Sequence, residues 1–299
     1  MITKLEQMLE ALKGKPKKKI IAAWANDSHT IEAVSNAINN GIVDAILIGD
    51  KNAIEKTCKE EKVDMGKFLQ IIHTNTDVEA ANLAVKMIAE KQGDILMKGL
   101  LSTDKYMRAI LNKEVGLLPP KGVLSHVTVI ENPNYHKLLV VSDVAVIPAP
   151  DFNQKVAMTN YIIKVAKAIG IEKPKVAIIA ASEQVSYTIP ASLDAAVLSK
   201  MGERGQIAGA IIDGPLALDL AIDKESAEIK KVDSIVAGDA DCMLFPNIES
   251  ANVFYKTNTK MCGAELGAVV MGAKVPCVLS SRGDSTLTKL YSIALAAMI

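Results

Sequence analysis

Arginine is rare in this chain and stands at positions suited to binding an anion. Only three of its 34 lysines and arginines are arginines, namely Arg108, Arg204 and Arg282. A guanidinium offers a rigid, planar set of donors that can hold a phosphate at two points, whereas a lysine acts as a mobile point charge. Arg108 and Arg282 each stand where a predicted strand passes into a predicted helix. We therefore expect a fixed anion site that uses these two residues.

The first of these segments follows a short apolar run, Ile95–Lys98, that is typical of a buried strand. After Gly99 and two leucines, Ser102 or Thr103 is a natural N-cap, and the next helix would carry Arg108 between one and two turns inside. A helix N-terminus directs free backbone N–H groups at an anion. The anion could then bind backbone donors, a hydroxyl and Arg108 together. The alternative is that Ser102 only caps the helix and Arg108 is an exposed side chain.

The second segment follows a late apolar run and reads Ser281-Arg282-Gly283-Asp284-Ser285 before a final helical pattern. Gly283 permits a close approach of the backbone to a ligand, and either Asp284 or Ser285 can cap the helix. Ser281 and Arg282 would then face whatever occupies the cleft. In open parallel sheets, ligands bind outside the carboxyl ends of the strands, so both segments lie where a ligand is expected.

A third group of polar residues near the C-terminal third of the chain includes Asp239, Asp241, Asn247 and Glu249. Carboxylates in such a group could bind a divalent cation or act as bases, and equally they could cap helices and satisfy loop backbone. No histidine has a metal-ligand spacing, the cysteines form no CxxC pair, and neither GxGxxG nor GxxxxGK[ST] occurs. We therefore assign no metal ligand.

Apolar runs and helical patterns alternate along most of the chain, which predicts an α/β fold with parallel-rich sheets and helices on their faces. Runs typical of strands are residues 19–24, 45–48, 69–73, 95–98, 176–180, 210–213, 242–246, 268–272 and 275–280. Helical patterns cover residues 30–39, 77–90, 152–169, 191–200 and 286–298.

The alternation is interrupted near Pro119-Pro120, and two strand-like runs then follow each other, residues 123–131 and 138–146. Two such runs joined by Asn132-Pro133-Asn134 predict an antiparallel hairpin and the beginning of a second domain. A length of 299 residues also favours two domains. We place the first α/β domain at residues 1–122 plus 284–299 and the second at residues 123–283.

The composition narrows the class of protein. Hydrophobic residues make up 49% and aromatic residues 4%, so the core must be aliphatic, as in layered α/β proteins. A formal net charge of zero argues against a nucleic-acid-binding protein. No apolar run reaches the roughly 18 residues that a membrane span requires. We expect a soluble cytoplasmic protein with reduced thiols, no nucleic-acid partner and no membrane partner.

Several stretches of the sequence match, in order and in residue content, the motifs of one protein family. They are residues 97–108, 111–116, 125–127, 213–219, 245–249 with Tyr255-Lys256, and Ser281-Arg282 with Asp284-Ser285. Together they cover nearly the whole chain and resemble the phosphate acetyl/butyryl transferase family, most of all its phosphate butyryltransferase branch.

The resemblance implies two α/β domains of the isocitrate/isopropylmalate dehydrogenase type, with an interdomain cleft, in a homodimer or higher homo-oligomer. It implies the reaction acyl-CoA + phosphate ⇌ acyl phosphate + CoA, with coenzyme A as a substrate and no resident cofactor. The favoured acyl group is butyryl or a branched short chain. We expect direct transfer in a ternary complex, without a covalent acyl-enzyme.

The resemblance also implies roles for individual residues. Arg108 and Arg282 match the phosphate-binding arginines of the family, and Ser281 matches the serine beside the reacting thioester. In the acetyl-specific branch an aspartate follows that serine by seven positions as the proposed base, and here that position is Thr288. Asp284 is nearer and can substitute, and deprotonation by solvent or by phosphate is the other possibility.

The remaining residues that we assign to the site bind substrate. They are Ser102, Thr103, Lys98 and Asn247, in addition to Arg108.

Other functions stay open at this point. One alternative is a metal-dependent dehydrogenase of the same fold type, with Asp213, Asp239 and Asp241 around a divalent ion. A second is a phosphate acetyltransferase, and a third is a non-catalytic module that senses acyl-CoA or an acyl phosphate.

Overall fold

The computed structural model describes residues 1–281 and 283–299, so Arg282 lies outside the described residues. The chain divides into two compact units. Unit I comprises Glu6–Leu124 and Gly267–Ile299, and unit II comprises Met1–Leu5 and Ser125–Leu266. The chain leaves unit I close to the predicted boundary at residue 122 and returns at Gly267, earlier than the predicted 284.

The strands in chain order are β1 (Lys18–Ala23), β2 (Val43–Gly49), β3 (Gln70–His73), β4 (Ile95–Lys98), β5 (Ser125–Glu131), β6 (Leu139–Ser142), β7 (Lys175–Ile179), β8 (Ile211–Leu216), β9 (Cys242–Leu244), β10 (Glu265–Met271) and β11 (Cys277–Val278). The helices are α1 (Glu6–Leu12), α2 (Ser28–Asn39), α3 (Lys51–Glu60), α4 (Asp77–Ala89), α5 (Thr103–Ile110), α6 (Phe152–Ala168), α7 (Pro190–Glu203), α8 (Leu218–Ile222), α9 (Lys224–Ile229), α10 (Ile248–Met261) and α11 (Thr286–Met298). A short 3₁₀ helix covers Met65–Lys67.

The strands of unit I follow the order β3-β2-β1-β4-β11-β10. The pairs β3/β2, β2/β1, β1/β4 and β4/β11 are parallel, and only the pair β11/β10 in this series is antiparallel. The carboxyl ends of β1, β4 and β11 therefore meet at one edge, which we call the carboxyl edge of unit I. Helices α2 and α11 pack against each other, and α1 packs against α11.

The strands of unit II follow the order β5-β6-β9-β7-β8. Strands β5 and β6 are antiparallel, which confirms the predicted hairpin, and the pairs β6/β9, β9/β7 and β7/β8 are parallel. Helix α6 packs against β9 and β6, and α7 packs against β8. The prediction of an α/β fold with parallel-rich sheets is confirmed.

Aliphatic side chains form the core, as the composition requires. The four residues of β4 are all buried, and so are residues 20–23 of β1 and nearly all of α11 from Thr288 to Ala297. Most helices begin at a residue that can accept a hydrogen bond from the first turn, for example Asp27 before α2 and Ser102 before α5. Among residues 1–281 and 283–299, no helix combines the length and the apolar character needed to cross a bilayer.

Candidate active site at the carboxyl edge of unit I

Three loops leave neighbouring strands at the carboxyl edge of unit I. Ala23 of β1 lies opposite Lys98 of β4, and Met97 of β4 lies opposite Val278 of β11. Hydrogen-bonded strands are about 4.8 Å apart. The loops that lead into α2, α5 and α11 therefore begin side by side. The two segments singled out in the sequence thus begin at the same edge.

The loop after β4 lies directly on the loop after β1. The backbone N–H of Gly99 donates to the carbonyl oxygen of Ala23, and that of Leu100 donates to the carbonyl oxygen of Trp24, both at 2.8 Å. A Cβ atom at position 99 would collide with the carbonyl oxygen of Trp24. Only glycine fits here, and because it has no side chain the two loops can lie in contact.

The side chain of Lys98 stabilises the same loop from inside. Lys98 is 2% exposed, and its Nζ donates to the carbonyl oxygens of Gly99 at 3.2 Å and Leu101 at 3.0 Å. An ammonium group bound to backbone oxygens fixes the path of the chain ahead of α5. Its assignment to substrate binding stays a prediction.

Helix α5 begins as the sequence predicts. Ser102 is the N-cap, and its Oγ accepts a hydrogen bond from the backbone N–H of Lys105 at 3.3 Å, while Thr103 is the first helical residue. The helix is short, and Arg108 lies in its last turn. With a rise of about 1.5 Å per residue, Arg108 lies roughly 8 Å along the axis from Thr103.

Arg108 faces solvent in this structure. Its side chain is 78% exposed, and its Nε binds the carboxylate of Asp104 at 2.9 Å, one turn earlier on α5. This geometry agrees with the alternative in which Ser102 caps the helix and Arg108 is an exposed side chain. Because Arg282 lies outside the described residues, the convergence of the two guanidinium groups stays a prediction.

Tyr106 holds the ends of β4 and β11 together. Its buried hydroxyl lies 3.1 Å from the carbonyl oxygen of Leu96 and 3.2 Å from that of Val278, and these two residues stand on the neighbouring strands. Burial, with a smaller effect of the Cys277 thiol, raises the pKa of Tyr106 well above its ordinary value. The hydroxyl therefore keeps its proton and can donate it to either strand.

Ser281 and Asp284, which lie between β11 and α11, bind each other through their backbones and the Asp284 carboxylate. The backbone N–H of Ser281 donates to Oδ2 of Asp284 at 2.6 Å, and the N–H of Asp284 donates to the carbonyl oxygen of Ser281 at 3.2 Å. The N–H of Gly283 lies 3.5 Å from Oγ of Ser281. Ser281 itself is exposed. Asp284 therefore holds the backbone of Ser281, which is exposed to solvent.

Ser285, and not Asp284, is the N-cap of α11. Its Oγ accepts the backbone N–H of Thr288 at 3.1 Å and donates to Oγ1 of the same residue. Thr288 is 8% exposed. A threonine hydroxyl is not basic at neutral pH, and this one is bound to the cap, so Thr288 does not act as a base.

A buried lysine contacts Ser280, the residue before Ser281, and no pattern in the sequence predicts its burial. Lys289 is 2% exposed, and its Nζ donates to Oγ of Ser280 at 3.0 Å. Burial lowers the pKa of Lys289, and the carboxylates of Asp27 and Asp284 act in the opposite direction. Asp27 follows β1 and caps α2 by accepting the backbone N–H of Thr30 at 3.0 Å.

Asn247, the predicted substrate-binding residue of unit II, caps a helix. Its Oδ1 accepts the backbone N–H of Ser250 at 3.0 Å and the hydroxyl of Ser250 at 2.8 Å at the start of α10. Its role toward substrate stays a prediction.

The carboxylates that a metal-dependent dehydrogenase would use have other partners in unit II. Asp239 binds Lys175, Lys137 at 2.8 Å and His136 at 2.9 Å, and Lys137 also binds Asp241 at 2.8 Å. Burial would raise the pKa of Asp239, but these hydrogen bonds outweigh it and hold the pKa well below its ordinary value.

Asp213, the third carboxylate of that set, accepts the backbone N–H of Gly214 at 2.8 Å. In the part of the chain that the structure describes, no group of three or more His, Cys, Asp or Glu side chains is arranged to hold a metal ion.

Comparisons with known proteins agree over the whole chain. A family model described as phosphate acetyl/butaryl transferase matches residues 3–85 and 77–297. A phosphate butyryltransferase of Clostridium acetobutylicum is 44% identical over 299 residues, which is 100% of this chain and 99% of that protein. A phosphate acetyltransferase of Thermotoga maritima is 41% identical over 294 residues, which is 98% of this chain and 99% of that protein.

A solved structure supports the same relationship. The crystal structure of a branched-chain phosphotransacylase from Enterococcus faecalis superimposes with a TM-score of 0.80 at 27% identity, covering 94% of this chain and 99% of the other. The predicted fold class is therefore confirmed by a solved structure as well as by the strand order. On the match of the family model and on the identity to these full-length relatives, the chain belongs to the phosphate acetyl/butaryl transferase family.

Proposed function

We propose that this chain transfers a short acyl group between coenzyme A and phosphate, in the reaction acyl-CoA + phosphate ⇌ acyl phosphate + CoA. The observation that carries the proposal is the side-by-side origin of the loops bearing Ser102 and Ser281, in a chain that is 44% identical to a phosphate butyryltransferase over its full length. Each loop leads into a helix whose N-terminus is capped by a serine, Ser102 for α5 and Ser285 for α11. Two such helix N-termini at one edge suit an anionic substrate.

Phosphate is the attacking group in the forward direction. One of its oxygens forms a bond to the thioester carbon, the carbonyl oxygen becomes an oxyanion, and the C–S bond then breaks. The departing thiolate takes up the proton that the phosphate loses, so CoA leaves as the thiol. Alignment of phosphate roughly 3 to 3.5 Å from the thioester carbon can lower the activation barrier by on the order of 7 to 11 kcal/mol. We assign that alignment to Arg108, Arg282 and the N-terminal turn of α5 with Ser102 and Thr103.

Ser281 supplies a donor at the reacting carbonyl. Its hydroxyl is exposed at the carboxyl edge, and the capping of α11 falls to Ser285 instead. A hydroxyl in this position would stabilise the oxyanion or the departing thiolate, and one such donor is typically worth about 3 to 4 kcal/mol. The transfer then needs no covalent acyl-enzyme and proceeds in a ternary complex.

The reverse direction requires a base for the CoA thiol. Asp284 uses Oδ2 to hold the N–H of Ser281. We assign proton uptake to the other oxygen of the same carboxylate, since Thr288 is buried and bound to the cap. General acid–base groups of this kind contribute about 10² to 10⁴ in rate.

The substrate is an acyl-CoA with a butyryl or branched short chain, coenzyme A is a substrate, and no resident cofactor takes part. The active form is a homodimer or higher homo-oligomer in the cytoplasm. Acetyl-CoA is the competing substrate, because a relative at 41% identity is named a phosphate acetyltransferase. The ion pairs of Asp239 and Asp241 with lysines disfavour the dehydrogenase alternative.

The test is formation of an acyl phosphate. Purified protein is mixed with phosphate and, in separate reactions, acetyl-, butyryl- or isobutyryl-CoA, and the acyl phosphate is trapped as its hydroxamate. Product from butyryl- or isobutyryl-CoA at several times the rate from acetyl-CoA, without nicotinamide and in the presence of a chelator, supports the proposal. An acylated protein in a single-turnover reaction would reject direct transfer, and absence of hydroxamate would reject the function.

A further inference from the structure

The position of Lys289 in α11 is unusual for a lysine. The side chain is 2% exposed, while buried ammonium groups are rare in proteins unless they are paired. Its Nζ donates to Oγ of Ser280 at 3.0 Å, and Ser280 immediately precedes Ser281. The ammonium therefore contacts the residue next to the one to which we assign stabilisation of the reacting thioester.

Two carboxylates act on this ammonium from two different loops. Asp27 follows β1 at the carboxyl edge, and Asp284 lies between β11 and α11. Burial lowers the pKa of Lys289, and both carboxylates oppose that change. Helices α2 and α11, which begin beside these carboxylates, pack against each other.

Asp27 has a further property that points to the same role. Its Oδ1 caps α2, whereas its Oδ2 is buried and has no hydrogen-bond partner within residues 1–281 and 283–299. A buried carboxylate oxygen without a hydrogen bond depends on a nearby positive charge for its stabilisation. The effect of Asp27 on the pKa of Lys289 indicates that Lys289 is a positive charge that acts on this carboxylate.

The charge balance matters for a dianionic substrate. Two carboxylates at the carboxyl edge repel phosphate, and like charges brought together disfavour binding. A buried ammonium beside them reduces this repulsion, and it is screened less by salt than an exposed lysine would be.

We propose that Lys289 is a positioning residue for phosphate, whose buried ammonium offsets Asp27 and Asp284 and fixes Ser280 so that Ser281 faces the anion. The inference rests on the proposed phosphate acyl transfer. Lys289 itself does not touch the substrate, and it acts through the carboxylates and through Ser280.

The test compares Lys289→Met, Asp27→Asn and the double variant in steady-state assays of phosphate-dependent CoA release from butyryl-CoA. In Lys289→Met the KM for phosphate rises by about tenfold or more, while the KM for butyryl-CoA changes by less than about twofold. Adding Asp27→Asn, which still caps α2, brings the KM for phosphate back to within about threefold of wild type. Lys86→Met, at an exposed lysine in the last turn of α4, is the matched control and leaves both KM values unchanged.

Each outcome decides the proposal. An unchanged KM for phosphate in Lys289→Met, equal changes in both KM values, or no rescue by Asp27→Asn overturns it. If Lys289→Met does not fold, Asp27→Asn alone decides, because it removes a negative charge and lowers the KM for phosphate, and an unchanged value overturns the inference. Wild-type protein that releases no CoA refutes the proposed function itself, and phosphate-induced thermal stabilisation of wild type and Lys289→Met then tests the effect on phosphate without turnover.

Discussion

Oδ2 of Asp284 accepts the backbone N–H of Ser281 at 2.6 Å. The bond joins the carboxylate nominated as the base to the serine nominated for the oxyanion. Asp284 therefore also stabilises the backbone at Ser281. A substitution that removes its carboxylate can disturb this hydrogen bond as well as proton transfer. To separate the two roles, a variant must keep an oxygen that accepts the N–H of Ser281 and remove the ionisable carboxyl group.

Asp284→Asn is that variant, because the amide oxygen can still accept the N–H of Ser281. We expect kcat to fall by about 10²-fold in both directions, since a general base in one direction is a general acid in the other. The melting temperature should stay close to that of wild type. Asp284→Ala, which also loses the hydrogen bond, should in addition unfold more easily by about 1 kcal/mol. Wild-type kcat in Asp284→Asn would remove this residue from proton transfer.

Ser281→Ala should lower turnover and leave phosphate binding nearly unchanged. The expected loss in kcat is about 10²- to 10³-fold, the effect typical of removing one donor to an oxyanion. Ser281 is exposed, so its hydroxyl contributes little to folding. Ser285→Ala, which removes the cap of α11, is the control, and it should reduce stability by about 1 kcal/mol. A normal kcat in Ser281→Ala would exclude the assigned role.

Arg108→Ala tests the anion site on α5. We expect the KM for phosphate to rise by about tenfold or more, because a forked donor to the dianion is lost. The stability should hardly change, since the exposed pair of Arg108 with Asp104 is worth only about 0.3 to 0.5 kcal/mol. Asp104→Ala breaks the same ion pair and keeps the guanidinium, so its KM for phosphate should match wild type or be lower. If both variants show the same KM for phosphate as wild type, Arg108 does not bind phosphate.

The ion pairs of Asp239 in unit II should make stability depend on pH in the acid range. The pKa of Asp239 is lower in the folded chain than in the unfolded chain. Its contribution to the free energy of unfolding is therefore complete above the ordinary aspartate pKa of about 3.9, and it is lost as the pH falls below that value. Wild type should exceed Asp239→Asn by about 1 kcal/mol at neutral pH, allowing for solvent screening of this partly exposed cluster.

Urea unfolding at pH 7 and near pH 3 measures that difference. It should narrow at the lower pH, whereas Asp44→Asn, which breaks only an exposed pair with Lys17, should have a small effect at both. A gap between wild type and Asp239→Asn that is equally wide at both pH values would contradict the assignment.

Local chemistry explains what could be predicted from the sequence. Capping and alternation are properties of short segments, so the cap at Ser102, strand β4 at Ile95–Lys98, helix α11 at Thr286–Met298 and the β5/β6 hairpin all agree with the structure. Family resemblance added the order of the motifs along the chain. These signals were enough to locate the carboxyl edge of unit I.

Two helices that have a weak apolar pattern were not predicted from the sequence. The buried positions of α3, Ile54 and Cys58, and of α10, Ala251, Tyr255 and Asn258, keep a helical spacing, but they are few and stand among many polar residues. Residues 275–280 were predicted as one strand, yet β11 covers only Cys277–Val278.

Long-range packing explains the rest. The burial of Lys289 depends on α2 lying against α11, and no rule about neighbouring residues predicts that contact. The placement of Tyr106 between Leu96 and Val278 likewise depends on two strands far apart in the sequence. Arg108 was correctly placed within α5, but its pairing with Asp104 on an exposed face shows that position along a helix does not fix where a long side chain points.

The most direct test of the account is the dependence of CoA release on phosphate. Purified protein is incubated with butyryl-CoA and a thiol reagent while the phosphate concentration is varied from zero to saturation, with wild type and Arg282→Lys measured side by side. The account predicts no CoA release without phosphate and a rate of release that saturates as phosphate is added. In Arg282→Lys the KM for phosphate should rise more than about tenfold. Release that proceeds at the same rate without phosphate, or that never occurs at any phosphate concentration, would contradict it.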